Sequence, residues 1–286
     1  MTEQVSPKAA GKAEEKKIVP ASPLGVFDSG VGGLTVLSEL MRQLPHEDAL
    51  YLADTARVPY GGRSPEEIVR INEAIIPFLI DQGAKLIVIA CGTSSAIAYP
   101  VLKDRYKVRL IGMIEPGARA ALAATRSGRI GVIATVGTIN SQAYQNALRS
   151  LKEGSEVFAE PCPLFVPLIE GGFVDAAETR RVAREYLKPL LKEKIDTLVL
   201  GCTHYPHLAR MLRELAGPAV ALVDPAAAVA SEVKKLLHQS GTLKGQASPA
   251  RYEYLVTGSL PQFQDLGSRL LGKPISHAKH VEIVVK

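Results

Sequence analysis

The chain has 286 residues, 47% of them hydrophobic, enough to bury a large core and, by length, to form about two domains. A formal net charge of +5 is spread over short runs such as Lys16-Lys17, Arg180-Arg181 and Lys234-Lys235, with 5% aromatic residues and no Trp, which argues against a nucleic-acid partner. Three cysteines do not make a disulfide framework, no window approaches a membrane span of about 20 apolar residues, and the expected location is the cytoplasm.

Residues 1–23 lack the apolar centre of a signal peptide and are expected to form a disordered tail. Beyond them, short runs rich in Val, Ile and Leu alternate with longer amphipathic stretches, the pattern of parallel strands buried on both faces and joined by helices. The expected strands, in chain order, are Leu24 to Phe27, Ala49 to Leu52, Leu86 to Ile89, Arg109 to Gly112, Ile130 to Ile133, Val157 to Glu160, Thr197 to Leu200 and Ala219 to Leu222.

The chain also repeats itself. Gly25-Val26-Phe27-Asp28-Ser29-Gly30 returns as Gly131-Val132-Ile133-Ala134-Thr135, and Ile89-Ala90-Cys91-Gly92-Thr93 returns as Leu200-Gly201-Cys202-Thr203-His204, at nearly the same offset. The expected fold is therefore α/β, two pseudo-symmetric doubly wound lobes with mainly parallel sheets and the active site in the cleft between them. Residues 24–115 with 225–286 would form one lobe and 116–224 the other. Ser29, Thr93, Thr135 and Thr203 fall at plausible helix N-caps, and both cysteines at the carboxyl ends of strands, the edge where ligands gather in open parallel sheets.

A thiol at a strand-to-helix turn feels the helix N-terminus and loses its proton more readily. Either Cys91 or Cys202 alone could be an inert buried cysteine; their equivalence in the repeat points to chemistry. Cys162, among prolines and without a repeat partner, reads as structural. His204 and His207 follow Cys202, yet no second Cys/His pair completes a zinc site, so no metal is expected. His204 reads as a proton donor or acceptor for Cys202, and His207 as a surface residue. Asp28-Ser29-Gly30-Val31-Gly32-Gly33 suits an anion or an ammonium group and lacks the spacing of a nucleotide loop. Glu170, beside Gly171 and Gly172, would alone be a solvated loop acid.

GVFDSGVGGLTVL from Gly25, DTARVPYG from Asp54, IACGTSSA from Ile89, IEPGA from Ile114, CPLFVPLIEGG from Cys162 and LGCTHYP from Leu200 together resemble the bacterial glutamate racemases, in order, from Leu24 to about Asp224. The resemblance implies a cofactor-independent enzyme that interconverts L- and D-glutamate and supplies D-glutamate for peptidoglycan. By match to the family motifs, Cys91 would take the proton from D-glutamate and Cys202 from L-glutamate. Asp28 would assist the first thiol, and His204 the second, with Glu170 near it. Substrate contacts would come from Asp28, Ser29, Pro59, Tyr60, Gly61, Gly92, Thr93, Thr135, Thr138, Thr203 and His204. Gly92 stands where the family usually carries Asn, so either water fills that space or a neighbour holds the substrate's polar groups. The lobes are expected to close on substrate, and a homodimer is the expected assembly, with no membrane partner. Two other readings stay open: a racemase, decarboxylase or isomerase of the same architecture acting on another substrate, and a binding module such as an amino-acid sensor or a partner of DNA gyrase.

Overall fold

The computed structural model describes residues 18–245 and 248–285. Its strands are β1 (Leu24–Asp28), β2 (Ala49–Ala53), β3 (Leu86–Ile89), β4 (Arg109–Gly112), β5 (Arg129–Ala134), β6 (Glu156–Pro161), β7 (Thr197–Leu200), β8 (Ala221–Val223), β9 (Tyr252–Val256) and β10 (Ala278–His280). The eight expected strands are β1 to β8, with ends displaced by at most two residues. Strands β9 and β10 carry no comparable apolar run and were not expected.

One sheet has the order β10-β9-β2-β1-β3-β4 and the other β6-β5-β7-β8. Every pairing among these strands is parallel. The run β2-β1-β3-β4 matches β6-β5-β7-β8 strand for strand, so the repeat read in the sequence is a repeat of topology. Strands β9 and β10 extend the first sheet alone.

Successive side chains on a strand point to opposite faces, and here both faces are covered. Leu24, Val26, Tyr51, Leu86 and Val88 enter one apolar cluster, and Phe27, Leu50, Leu52, Ile87 and Ile89 enter another on the far side of the same sheet. In the second sheet Ile133, Leu198 and Leu200 face one cluster, while Ile130, Val132 and Val199 face the other. Each such fully buried side chain contributes about 1.5–3 kcal/mol, which is why these strands need no alternating polar residues.

Helices cover the sheets and start at readable signals. Ser64 accepts a hydrogen bond from the Glu67 amide at 3.2 Å to cap Pro65–Asp81, and Asp224 accepts from the Ala226 amide at 2.9 Å to cap Pro225–Gln239. The helix Ile114–Ala124 leads from β4 into the second sheet, and Pro225–Gln239 leads back from β8; the two pack on each other. Of the expected tail, residues 1–17 lie outside the described residues. Residues 18–23 make a turn in which the Ser22 amide donates to the Val19 carbonyl at 2.9 Å, and the Pro20 carbonyl accepts from Lys85 Nζ at 2.7 Å.

Candidate active site

The order reverses about β1 in the first sheet and about β5 in the second, and both switch points open at the strands' carboxyl ends. Asp28 ends β1, Cys91 follows β3, Thr135 follows β5 and Cys202 follows β7. These positions line one cavity of about 420 Å³ between the sheets. Ser29, Pro59, Tyr60, Gly61, Gly92, Thr93, Glu170, Thr203 and His204 reach the same cavity, and Val58, Val136, Val166 and Pro167 supply an apolar wall. A cavity of about 530 Å³ elsewhere, lined by Lys103, Arg109, Glu115 and Arg119 among others, contains no thiol.

Cys91 and Cys202 belong to different sheets, and Cys162, which follows β6, also lines the cavity. Cys91 is itself the N-cap of the helix Gly92–Ile97, with Thr93 inside the first turn, so the expected Thr93 cap is displaced by two residues. Cys91 Sγ lies 4.0 Å from Ser29 Oγ. Burial, then the nearby Asp28 carboxylate, push the Cys91 thiol up to about 12, and charge on Cys202 adds in the same direction. The helix start does not make this thiol more acidic, as its place in the sequence suggests, because burial outweighs the helix N-terminus.

Cys202 Sγ lies 3.8 Å from His204 Nδ1, and His204 Nε2 lies 2.9 Å from Glu170 Oε1. Burial opposes charge on the imidazole, but Cys202, Glu170 and Asp28 outweigh it and raise His204 to about 10. Glu170 is not a solvated loop acid: it ends the helix Phe165–Glu170 and faces the histidine. His207 is not a surface residue either. It is half-buried, its Nε2 is enclosed without a hydrogen-bond partner among the described residues, and burial with the charge on His204 lowers it to about 4.

Asp28 is buried and accepts hydrogen bonds from the Gly30 amide at 3.0 Å and from Thr203 Oγ1 at 3.4 Å. Burial raises its carboxyl, with His204 and the backbone donors opposing. The Thr203 bond joins the two sheets, and so do Thr93 Oγ1 to Thr135 Oγ1 at 2.9 Å and the Gly137 amide to the Gly61 carbonyl at 2.9 Å. Gly32 makes the approach possible: a Cβ there would stand 2.4 Å from both His204 Nδ1 and Thr203 Oγ1.

Four expectations change in detail. Thr135 caps the helix Val136–Asn140, as expected, but the first helix begins after Gly33 rather than Ser29, and Thr203 lies before a 3-10 turn, Tyr205–Leu208, whose cap position is His204. Thr138 stands behind Thr135, 3.0 Å between hydroxyl oxygens, and does not line the cavity. Gly92 leaves no room for water on its Cβ side, because the Gly201 carbonyl oxygen occupies that place.

Two residues escaped the sequence reading. Thr35 Oγ1 donates to the Thr203 carbonyl at 3.0 Å, tying the first helix to the Cys202 loop. Asp54 is fully buried and accepts from Tyr60 Oη at 2.5 Å and from Thr257 Oγ1 at 2.8 Å, which fixes the loop that carries Pro59 to Gly61. Both lie in motifs quoted above, Asp54 at the head of DTARVPYG and Thr35 within GVFDSGVGGLTVL, but the residue type of neither points to these partners. Cys162 is fully buried, its thiol pushed up by burial and by Glu160, and its Sγ faces the Glu160 carbonyl at 3.6 Å. Among the described residues no group of three or more His, Cys, Asp or Glu side chains could hold a metal ion, and no helix is long and apolar enough to cross a membrane.

Cys91 from the first sheet and Cys202 from the second thus face one cavity, an arrangement suited to acid and base chemistry on two sides of one carbon. Residues 28–233 match the Asp/Glu/hydantoin racemase family, and the chain belongs to that family. Relatives matched over nearly their whole length include proteins named glutamate racemase. The one from Geobacter metallireducens is 44% identical over 265 residues, covering 93% of this chain and 98% of its own. Glutamate racemase isoform RacE1 from Bacillus anthracis superposes with a TM-score of 0.89 at 40% identity, covering 93% of this chain and 99% of its own. The Francisella tularensis glutamate racemase, solved in complex with D-glutamate, superposes at 0.86 with 37% identity, covering 92% and 98%.

Proposed function

We propose that this protein is a glutamate racemase that inverts the α-carbon by proton transfer between two cysteines, and that it supplies D-glutamate for peptidoglycan. The observation that carries this reading is that Cys91 and Cys202, equivalent in the repeat, line one cavity from separate sheets.

Inversion without a cofactor needs a base on one face of the α-carbon and an acid on the other. Cys202 with His204 would take the proton from L-glutamate, and protonated Cys91 would deliver one to the opposite face. In the reverse direction Cys91 acts as base, with Asp28 beside it, and Cys202 as acid. Glu170 holds His204 in place and favours its charged form. Negative charge developing on the carbanion spreads to the α-carboxylate, where backbone amides and the hydroxyls of Ser29, Thr93, Thr135 and Thr203 can stabilise it. The buried Asp28 carboxylate is suited to the substrate ammonium. Thr138 would act through Thr135, and Pro59, Tyr60, Gly61 and Gly92 would shape the cavity.

A weakly basic thiolate competes poorly with water, so the lobes, residues 24–115 with 225–286 and residues 116–224, would close on the ligand. Two copies would assemble as a homodimer in the cytoplasm. Chiral chromatography of L-glutamate incubated with the purified protein and no added cofactor tests the function: D-glutamate should accumulate until the enantiomers are equal. Inversion of aspartate with no turnover of glutamate would reassign the substrate.

A further inference from the structure

The two thiols are supported unequally. Cys202 has an ionisable neighbour, His204, held by Glu170, whereas behind Cys91 stand two neutral, fully buried side chains, Ser94 and Asn72. Ser94 lies in the first turn of the helix Gly92–Ile97, and Asn72 reaches it from the helix Pro65–Asp81. Asn72 Nδ2 donates to the Ile68 carbonyl at 2.8 Å and to Ser94 Oγ at 3.0 Å. A carbonyl only accepts, so Ile68 fixes which end of the amide faces Ser94, and both amide protons are then committed. Ser94 Oγ is therefore the acceptor in its bond with Asn72 and keeps its own proton for another partner.

The other hydroxyls of this turn are engaged elsewhere, Thr93 with Thr135 at 2.9 Å and Ser95 with the Ile89 carbonyl at 2.7 Å. An N-cap side chain is met by the amide two or three residues on, here that of Ser94. Cys91 makes no cap bond while it is a neutral thiol, yet the Ser94 amide and hydroxyl both favour charge on its sulfur. Asn72 Oδ1 is left buried without a partner among the described residues, a cost that a merely space-filling asparagine would not explain.

We propose that Ser94, oriented by Asn72, is a positioning residue whose hydroxyl donates to Cys91 Sγ as that sulfur becomes a thiolate. The proposal rests on the two-cysteine reading above. In the L-to-D direction the S–H bond of Cys91 breaks, its proton goes to the carbanion and the electron pair stays on sulfur, where the Ser94 hydroxyl meets it. In the carbanion intermediate both cysteines are thiols, so only the barrier on the Cys91 side depends on Ser94.

Wild type, Ser94→Ala, Asn72→Ala and Ser95→Ala are compared in water with L- and D-glutamate carrying hydrogen or deuterium at the α-carbon. In Ser94→Ala, kcat/KM should fall about three- to tenfold, equally for both enantiomers, since a hydrogen bond to a charged group is only partly developed in the transition state. The isotope effect on kcat/KM should rise for D-glutamate, whose deuteron passes to Cys91, and fall for L-glutamate, whose deuteron passes to Cys202. Asn72→Ala should move both in the same directions by less, and Ser95→Ala should move neither. Isotope effects in Ser94→Ala that stay unchanged or shift together contradict the proposal, and so does the same divergence in Ser95→Ala. Thermal melts should show Ser94→Ala folded; loss of its fold also contradicts the proposal, which gives this hydroxyl no part in holding the structure. Failure of the wild type to form D-glutamate would instead contradict the functional reading itself.

Discussion

Glu170 Oε1 accepts the Nε2 side of His204 at 2.9 Å, which turns the other ring nitrogen toward Cys202 Sγ at 3.8 Å. A carboxylate from the end of one helix and an imidazole from the loop after β7 thereby form a relay that ends on a thiol. The same contacts should leave a signature in stability and, in the proposed mechanism, in turnover.

His204 is raised to about 10 in the folded state, above the unfolded value of about 6.5. The folded state therefore holds a proton that the unfolded chain releases, so this contribution is fully present below about pH 6.5 and is lost as pH rises toward 10. His207, lowered to about 4, acts oppositely: the unfolded chain binds its proton first, and stability falls as pH drops from about 6.5 toward 4. Together the two histidines favour a maximum in unfolding temperature near pH 6.5. Glu170→Gln should flatten the decline above pH 6.5, and His207→Gln the decline below it, in melts recorded from pH 4 to 10.

Glu170→Gln should also slow racemisation by roughly 10- to 100-fold through the loss of support for His204. The two enantiomers of glutamate are equal in free energy, so kcat/KM must fall equally in both directions, whichever thiol is affected. Unequal values measured with L- and D-glutamate would show that the assay follows something other than racemisation.

Gly32→Ala introduces a methyl group where His204 and Thr203 already stand at 2.4 Å. The ring must move, and kcat/KM should fall by about 100-fold, as expected for a displacement of the order of 1 Å in a catalytic group. Ala at Gly62, where nothing lies within 4 Å of the added carbon, is the matched control for stability.

Lys85 and Glu47 form a buried ion pair at 2.6 Å, and the lysine also donates to the carbonyls of Pro20 and Thr242 at 2.7 and 2.8 Å. Lys85→Met leaves Glu47 as a buried uncompensated charge and should cost about 3–5 kcal/mol in urea unfolding. Lys85→Met combined with Glu47→Leu should cost less than Lys85→Met alone, which double-mutant analysis measures directly.

Much of this was legible in the chain. Apolar runs such as Leu86-Ile87-Val88-Ile89 mark strands covered on both faces, and the echo of Cys91 in Cys202 announces a repeated unit before any fold is seen. Strand β10, Ala-Lys-His at a sheet edge, has no such run, because a three-residue edge strand buries too little to leave a pattern. Ser29, Thr93 and Thr203 lie four, two and one residues from the observed caps Gly33, Cys91 and His204, because several small or polar residues stand together at each turn and only backbone geometry chooses among them. His207 reads as a surface residue for a related reason. Residue type states what a side chain can do, whereas burial and neighbours, set by the other half of the chain, decide whether it does so.

The account turns on Cys91 and Cys202 serving opposite faces of one α-carbon, and the most direct measurement is α-hydrogen exchange in D2O by Cys91→Ser and Cys202→Ser. Both variants should lose racemisation by roughly 1,000-fold or more. Cys91→Ser should still exchange the α-hydrogen of L-glutamate but not of D-glutamate, and Cys202→Ser the reverse. Racemisation at the wild-type rate by either variant, or exchange of the same enantiomer by both, would contradict it.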